Sequence, residues 1–250
     1  AALIGRGVRH HDDRRACRDW VARLGAAGWL RYCVPAAHGG ALERLDSRAL
    51  VILRETLAFH SPLADFAFAM QGLGSGAISL KGTPEQQAAY LPRVASGQAL
   101  AAFELSEPEA GSDVAAMQCS ATETPEGYRL NGFKTWISNG IKGECFALLV
   151  KTDTKAEPRY KGMSLMIAPK HEGFTTGKKF KKMGYNCIDS AELIFDNVRV
   201  PQENVIGNIG DGFKQVVKLF TTSFFDNIIH CSHLHQLQTS SSLLSQENLS

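Results

Sequence analysis

The sequence predicts an α+β chain, an all-helical N-terminal domain followed by an antiparallel β-sandwich or barrel middle domain. Three observations carry this. Apolar residues recur at helical spacing up to about residue 100. Short alternating runs separated by turn dipeptides fill 101–207. The chain's 44% apolar and 21% charged residues are ordinary globular composition. The expected division is 1–100 helical, 101–207 β, and 208–250 the start of a helix followed by an atypical tail.

Asp12 to Ala27 reads as the first helix, with Ala16, Trp20, Val21 and Leu24 on one face and Gly28 as its stop. Asp46 is placed to cap a second helix, whose inner face carries Leu50, Leu53 and Leu57. Leu63 to Leu80, small, apolar and rich in Ala and Gly, suits a tightly packed central helix or a pair of them. Thr83-Pro-Glu-Gln86 is a helix start. Thr83 can accept from the Gln86 amide, Pro84 suits the first helical position, and Gln86 can close a capping box. Pro92 and Gly97 are expected to break that helix.

Cys119 to Glu123 and Tyr128 to Leu130 alternate around Thr124-Pro-Glu-Gly127, which predicts a hairpin. Asn131-Gly132 and Asn139-Gly140 read as turns that want positive φ. Phe146 to Val150, Met163 to Ala168 and Ala191 to Phe195 are further strand-like runs, and Pro201 ends the region. A helix restarts after Gly210-Asp-Gly212 with Phe213, Val216, Val217 and Phe220 on one face. Beyond Phe220 the helical period is lost, and Gln236 to Ser250 reads as a solvated, mobile tail rich in Ser, Gln and Leu.

A net charge of +2 leaves no broad electrostatic footprint for nucleic acid. No apolar run of about 18 residues exists to span a bilayer. The start, Arg6 to Arg15, mixes acids with arginines, unlike a signal or transit peptide, so a cytoplasmic or mitochondrial-matrix location is expected, any leader having been lost upstream. Six scattered cysteines read as free thiols in a reducing compartment. His230, Cys231, His233 and His235 lack a second ligand pair, so no metal site is expected.

Two segments are suited to chemistry. Phe103-Glu-Leu-Ser-Glu-Pro-Glu-Ala-Gly-Ser-Asp-Val114 cannot continue as helix through its Pro and Gly, and it offers backbone amides together with the Ser106 and Ser112 hydroxyls. An ordinary connecting loop, with Ser and Asp satisfying backbone groups, accounts for the same residues. In Lys134-Thr-Trp-Ile-Ser-Asn-Gly140, Trp136 supplies a flat apolar wall and Ser138 a hydroxyl on the same side of a strand. A Trp that simply anchors a sheet core is the plain alternative. Lys178 to Lys182 is a basic run that suits a sheet-edge guard more readily than a phosphate site.

Taken together, and with Phe195-Asp-Asn-Val-Arg-Val-Pro-Gln-Glu-Asn-Val-Ile-Gly207 before Gly212-Phe213, the motifs resemble the acyl-CoA dehydrogenase family. Upstream, Gly82-Thr-Pro-Glu-Gln, Tyr90-Leu-Pro92 and Ser96-Gly97 look like the same family over roughly residues 20 to 220. The resemblance implies an FAD-dependent oxidoreductase that α,β-dehydrogenates acyl-CoA thioesters. It implies an electron-transferring flavoprotein as acceptor and a homo-oligomeric complete protein. It places Phe103, Leu105, Ser106, Gly111, Ser112, Trp136, Ile137 and Ser138 along the flavin, with Ser106 hydrogen-bonding the isoalloxazine and Ser112 also reaching the substrate.

The departures bear on catalysis. Glu104 stands where the family usually has a small or apolar residue, and Glu109 where Gly is frequent, so either carboxylate is expected to face solvent or to perturb the flavin. Ser223 and Phe224 stand where a minority of the family has its catalytic Glu and the usual Arg. No family motif follows Phe220 and Glu247 has none around it, so the C-terminal helical domain is expected to be absent and the catalytic base is unknown. An acyl-CoA oxidase or flavin monooxygenase on the same scaffold, or a non-catalytic truncated binder of flavin or acyl-CoA, are the alternative expectations.

Overall fold

The computed structural model describes residues 16–168, 170–184 and 188–223. Helices α1 (Ala16–Ala26), α2 (Ser47–His60), α3 (Pro62–Lys81) and α4 (Pro84–Ala95) precede eight strands, and α5 (Gly212–Ser223) follows them. The Asp46 carboxylate accepts from the Arg48 and Ala49 amides at the start of α2. Thr83 and Gln86 close a capping box at α4, and both caps form as the sequence predicts. Pro92 does not break α4, which runs on to Ala95. Its missing amide leaves the Ala88 carbonyl without a helical partner, but Ala88 is exposed and water can serve it.

Helix α3 is one helix, not two, and it is the hub of the N-terminal half. Its apolar and small residues from Leu63 to Ile78 are buried almost all round. Gly74 lets it lie directly on the first strand, because a Cβ there would come within 2.7 Å of Ala101 Cβ and the Ala102 nitrogen. Gly76 does the same for α5, where a Cβ would sit 2.3 Å from Leu219 Cδ1. These close approaches explain the glycines of a stretch that would otherwise lower helix stability.

The strands are β1 (Ala101–Glu104), β2 (Ser120–Thr124), β3 (Gly127–Ser138), β4 (Cys145–Lys151), β5 (Met163–Ile167), β6 (Phe174–Lys179), β7 (Ser190–Val200) and β8 (Val205–Ile206). They form one sheet in the order β6-β7-β3-β2-β4-β5-β8, with β1 paired to β4 off this path. The pairing is antiparallel except for β1–β4 and the single Ser120–Lys151 contact of β2–β4, which are parallel. On β4, Ala147 and Leu149 face the core shared with the helices, while Leu148 and Val150 face a second core within the sheet domain. Burial on both faces makes its sequence a continuous apolar run.

Asn131-Gly132 is not a turn but part of β3, where Asp196 and Asn197 of β7 bulge opposite the single residue Asn131, between the Leu130–Val198 and Gly132–Phe195 pairs. The Asn131 side chain accepts from the Asn197 amide, and Gly132 lies against Cys119 where no Cβ fits. Asn139 does turn the chain, at φ 61°. On α5 the buried apolar side chains are Val216 and Leu219, with Phe213 and Phe220 packed beside them, while Val217 is 45% exposed. The chain beyond Ser223, with Phe224, Glu247 and the His/Cys cluster, lies outside the described residues.

Gln71 joins the helices to the sheet. Fully buried on α3, it donates to the Ala99 carbonyl and accepts from the Ala101 amide, both at 2.8 Å. Gln71→Leu would leave both backbone groups unpaired at about 1–3 kcal/mol each. The expected outcome in urea unfolding is a loss of roughly 2–4 kcal/mol with an unchanged m-value. A loss below about 0.5 kcal/mol would show that this amide does not hold β1 in place.

Candidate functional site

Strand β1 delivers the loop after Glu104 to the edge of β3, and three polar contacts fasten it there. The Lys134 ammonium donates to the Leu105 carbonyl at 2.9 Å and to Glu107 Oε1 at 2.8 Å. The Thr135 amide donates to the Ser106 carbonyl at 2.9 Å. Glu107 also accepts from the Gln118 amide at 2.6 Å and the Cys119 amide at 3.1 Å. Lys134 is fully buried and the Glu107 side chain is 5% exposed. A buried pair of this kind is stable only when its remaining hydrogen-bonding capacity is used, as it is here. Glu107 and Ala110 exchange backbone hydrogen bonds, folding Pro108 and Glu109 into an exposed tight turn.

Trp136 follows directly. Its backbone is left-handed at φ 58°, a conformation that costs a non-glycine residue about 1–3 kcal/mol. Its indole is 55% exposed and stacks on Phe180 at 3.9 Å with planes 17° apart. Trp136 is therefore not a core anchor; it presents a flat apolar surface beside Ser106. Asn139 locks the far end. Its side chain donates to the Ala101 carbonyl at 2.9 Å, its amide to the Asp189 carbonyl at 3.0 Å, and its Oδ1 lies 3.6 Å from the Cys17 thiol.

The structure thus brings Ser106 beside Trp136 through the Thr135 amide, with Leu105 packed against the helix-side core and Ser138 half-buried two residues beyond Trp136. No hydrogen bond among the described residues engages the hydroxyls of Ser106, Ser112 or Ser138, which leaves them for water or a ligand. Phe103 and Ile137 differ. At 8% and 2% exposure their side chains belong to the two cores, Phe103 edge-on to Phe220 at 5.9 Å, so their part is to hold backbone in place. Gly111 and Ser112 sit on the exposed outer arm of the loop, where nothing lies within 4 Å of a Gly111 Cβ and Asp113 pairs with Arg159 at 3.5 Å. Lys134, Glu107, Asn139 and Phe180 were not legible as site residues. A lysine in a strand reads as solvent-facing, and the i, i+2 spacing of Lys134 and Trp136 puts both on one face of a regular strand; the irregularity between Lys134 and Ile137 is what buries the one and exposes the other.

Glu104 is 1% exposed, and neither carboxyl oxygen has a hydrogen-bond partner. It does not face solvent, whereas Glu109 does. Burial pushes the Glu104 carboxyl up to about 8, against the weaker opposing pull of Lys134 and Lys170. It is a neutral acid at pH 7. Cys119, whose thiol burial raises to about 12, also lies within electrostatic reach of Glu104, Glu107 and Lys134. Cys33 and Cys145 are raised likewise, so the described thiols Cys17, Cys33, Cys119 and Cys145 are enclosed and none is poised to react. No group of three or more His, Cys, Asp or Glu able to hold a metal occurs among the described residues.

A carboxyl whose folded value is raised holds its proton in the folded chain after the unfolded chain has lost it. Its stabilising effect is complete below about pH 4.5 and is lost as the pH rises to about 8. Between those values the chain is expected to lose up to roughly 1.4 kcal/mol of stability per pH unit from this group. Glu104→Gln should remove that slope, read as the difference between the two unfolding curves at pH 5, 6, 7 and 8. Parallel pH dependences would mean that the Glu104 carboxyl is hydrated in solution.

Comparison with known proteins agrees with this architecture. The family model described as acyl-CoA dehydrogenase, N-terminal domain, matches residues 4–98, and the acyl-CoA dehydrogenase middle domain matches residues 102–198. The very long-chain specific acyl-CoA dehydrogenase of Rattus norvegicus, a mitochondrial protein, is 45% identical over 214 residues, covering 83% of this chain. The crystal structure of an acyl-CoA dehydrogenase from Geobacillus kaustophilus superposes with a TM-score of 0.74 at 32% identity over 82% of the chain. That of Bacillus anthracis acyl-CoA dehydrogenase complexed with FAD gives 0.74 at 31% over 85%. The chain spans 32% of the length of the rat relative, and 54% and 36% of the two crystallised chains. Through these N-terminal and middle domains, the chain belongs to the acyl-CoA dehydrogenase family.

Proposed function

We propose that this chain forms the FAD-binding part of an acyl-CoA dehydrogenase acting on acyl-CoA thioesters. The observation that carries the reading is the Thr135–Ser106 backbone bond, which sets a hydroxyl-bearing loop against the exposed, left-handed Trp136. The residues fit a planar, partly polar ring: an indole to cover it, the Ser106 and Ser138 hydroxyls to hydrogen-bond its rim, and loop amides beside them. On this reading Phe103, Leu105 and Ile137 support the surface from the cores, Gly111 gives the loop its outer arm, and Ser112 reaches toward the substrate. Bound there, FAD would supply the acceptor for hydride leaving the acyl β-carbon. The chain's own contribution is to orient that ring, exclude water from one face and hold the loop rigid. We assign 1–100 to the helical domain, 101–207 to the flavin-binding domain and 208–250 to a C-terminal segment that begins with α5. We assign an electron-transferring flavoprotein as electron acceptor, a homo-oligomer as the complete protein and the mitochondrial matrix as its place.

Removal of the α-proton requires a carboxylate or other base within reach of the α-carbon. The described acids near the surface are committed elsewhere. Glu104 is enclosed, Glu107 is saturated by Lys134 and two amides, and Asp113 is paired with Arg159. Glu109 is exposed at the far end of the turn. We therefore place the base outside the described residues.

Purified with added FAD, the chain is expected to retain flavin absorbance. Trp136→Ala and Ser106→Ala should each weaken binding by about 1 kcal/mol or more, roughly fivefold. Retention by the double variant equal to that of the parent chain would show that the flavin sits elsewhere.

A second outcome concerns turnover. With FAD, a panel of acyl-CoAs and an artificial electron acceptor, the 250-residue chain should show negligible dehydrogenation. A missing base alone costs about 10²–10⁴-fold. If turnover is nevertheless seen, Glu104→Gln should not abolish it; loss on that substitution would identify Glu104 as a base despite its enclosure.

A further inference from the structure

Trp136 lies on β3 and Phe180 directly follows β6, strands that do not pair with each other. β3 and β6 lie on opposite sides of β7, so their side chains ordinarily stand two strand spacings apart. What brings the rings to 3.9 Å is a matched irregularity in both ladders. In the β3–β7 pairing, Lys134 lies opposite Leu193 and Ile137 opposite Ala191, so Thr135 and Trp136 together face the single residue Glu192. In the β6–β7 pairing, Thr176 lies opposite Leu193 and Lys179 opposite Ala191, so Gly177 and Lys178 face the same Glu192. Each neighbour of β7 carries one extra residue at one and the same step.

Bulges bend a strand and re-aim its side chains. On β3 the extra residue is absorbed by Trp136 at φ 58°. On β6 it is absorbed around Glu192, whose Oε2 accepts from the Lys178 amide at 3.2 Å. A Cβ at position 177 would lie 2.9 Å from that oxygen and 3.0 Å from Glu192 Cβ, so glycine is what allows the carboxylate to enter. Beyond the bulge the Phe180 amide donates to the Ser190 carbonyl at 2.9 Å, which fixes where the phenyl ring starts. The ring then lies nearly parallel to the indole, yet Trp136 keeps 55% of its surface exposed. One aromatic surface is taken by Phe180, and the rest of the indole stays open.

We propose that Phe180 is a positioning residue for the flavin site: delivered by the paired bulges at Glu192, it holds Trp136 in its left-handed conformation, so that the open part of the indole is a preformed wall for the flavin ring. This rests on the flavin reading above. A wall fixed before binding spares the ligand the cost of ordering it, and the affinity lost without Phe180 is that ordering cost. The alternative geometry, in which Phe180 occupies the ring's own place and must be displaced, makes the opposite prediction for the same variant.

The test uses the full chain with 5-fluorotryptophan, whose three indoles (Trp20, Trp29 and Trp136) give three fluorine resonances, that of Trp136 identified by its loss in Trp136→Phe. Without flavin, Phe180→Ala should shift and broaden the Trp136 resonance and leave the other two in place, while Phe180→Tyr restores it. In an FAD titration, Phe180→Ala should bind about three- to tenfold more weakly, with Phe180→Tyr close to the parent. An unchanged Trp136 resonance in Phe180→Ala overturns the proposal. Equal or tighter FAD binding by Phe180→Ala also overturns it, tighter binding marking the phenyl ring as a competitor. If the parent chain binds no FAD, the flavin reading and the role proposed for Phe180 fall together, while the fluorine spectrum still reports whether the stack orders the indole.

Discussion

The Lys134–Glu107 ion pair is the contact on which the site's geometry depends. Removing two charges from water is costly, and the pair persists because each partner has further bonds: Lys134 to the Leu105 carbonyl, Glu107 to the amides of Gln118 and Cys119. Those bonds fix both ends of the loop from 105 to 119 against β3. Removing one partner would strand the other charge in the interior, a change that typically costs about 3–5 kcal/mol. The exposed turn at Pro108 and Glu109 can then vary in sequence without moving Ser106, because its base is held from below.

The helices enter the same geometry through backbone, not through side chains in the site. Gln71 grips the Ala99 carbonyl and the Ala101 amide, and Asn139 grips the Ala101 carbonyl beside them. Gly74 removes the side chain that would otherwise hold α3 off the strand. A strand held by these side chains on one edge and by β4 on the other has little freedom to slide, so Glu104 and the loop beyond it start from a fixed point. The helical half thereby helps to set the register of the site through backbone contacts.

Local chemistry was legible where it is self-contained. The Asp46 cap, the Thr83–Gln86 box and the hairpin around Thr124–Gly127 follow from neighbouring residues and form as predicted. The contacts that assemble the site were not, because they join residues distant in sequence. β1 is four residues with no alternation, buried throughout, and so carries no period to read. β6 alternates Thr, Gly and Lys on a sheet edge, which resembles a polar loop. Asn131-Gly132 has the composition of a turn, and only its partners, Cys119 and Asn197, keep it within a strand opposite a bulge of β7. Family motifs supplied the flavin expectation that periodicity could not, and they marked Trp136 and Ser106; they were silent on Lys134, whose role exists only once β1 lies beside β3.

Two carboxyls three residues apart meet opposite fates here, and the difference is geometric. Lys134 is committed to Glu107 and the Leu105 carbonyl at 2.8 and 2.9 Å, which leaves no described donor for Glu104. Lys170 lowers the cost of ionising Glu104, but its ammonium donates to the Ile141 carbonyl and gives Glu104 no hydrogen bond. An enclosed acid without a donor keeps its proton, since a distant cation cannot replace the lost hydration of a carboxylate. The interior beneath the loop therefore holds one balanced ion pair and one neutral acid instead of a net negative charge. That matters for any electron-accepting ring above it, because a buried anion at Glu104 would oppose the build-up of negative charge there. The chain accommodates a carboxyl at position 104 because burial raises its pKa and favours the protonated form.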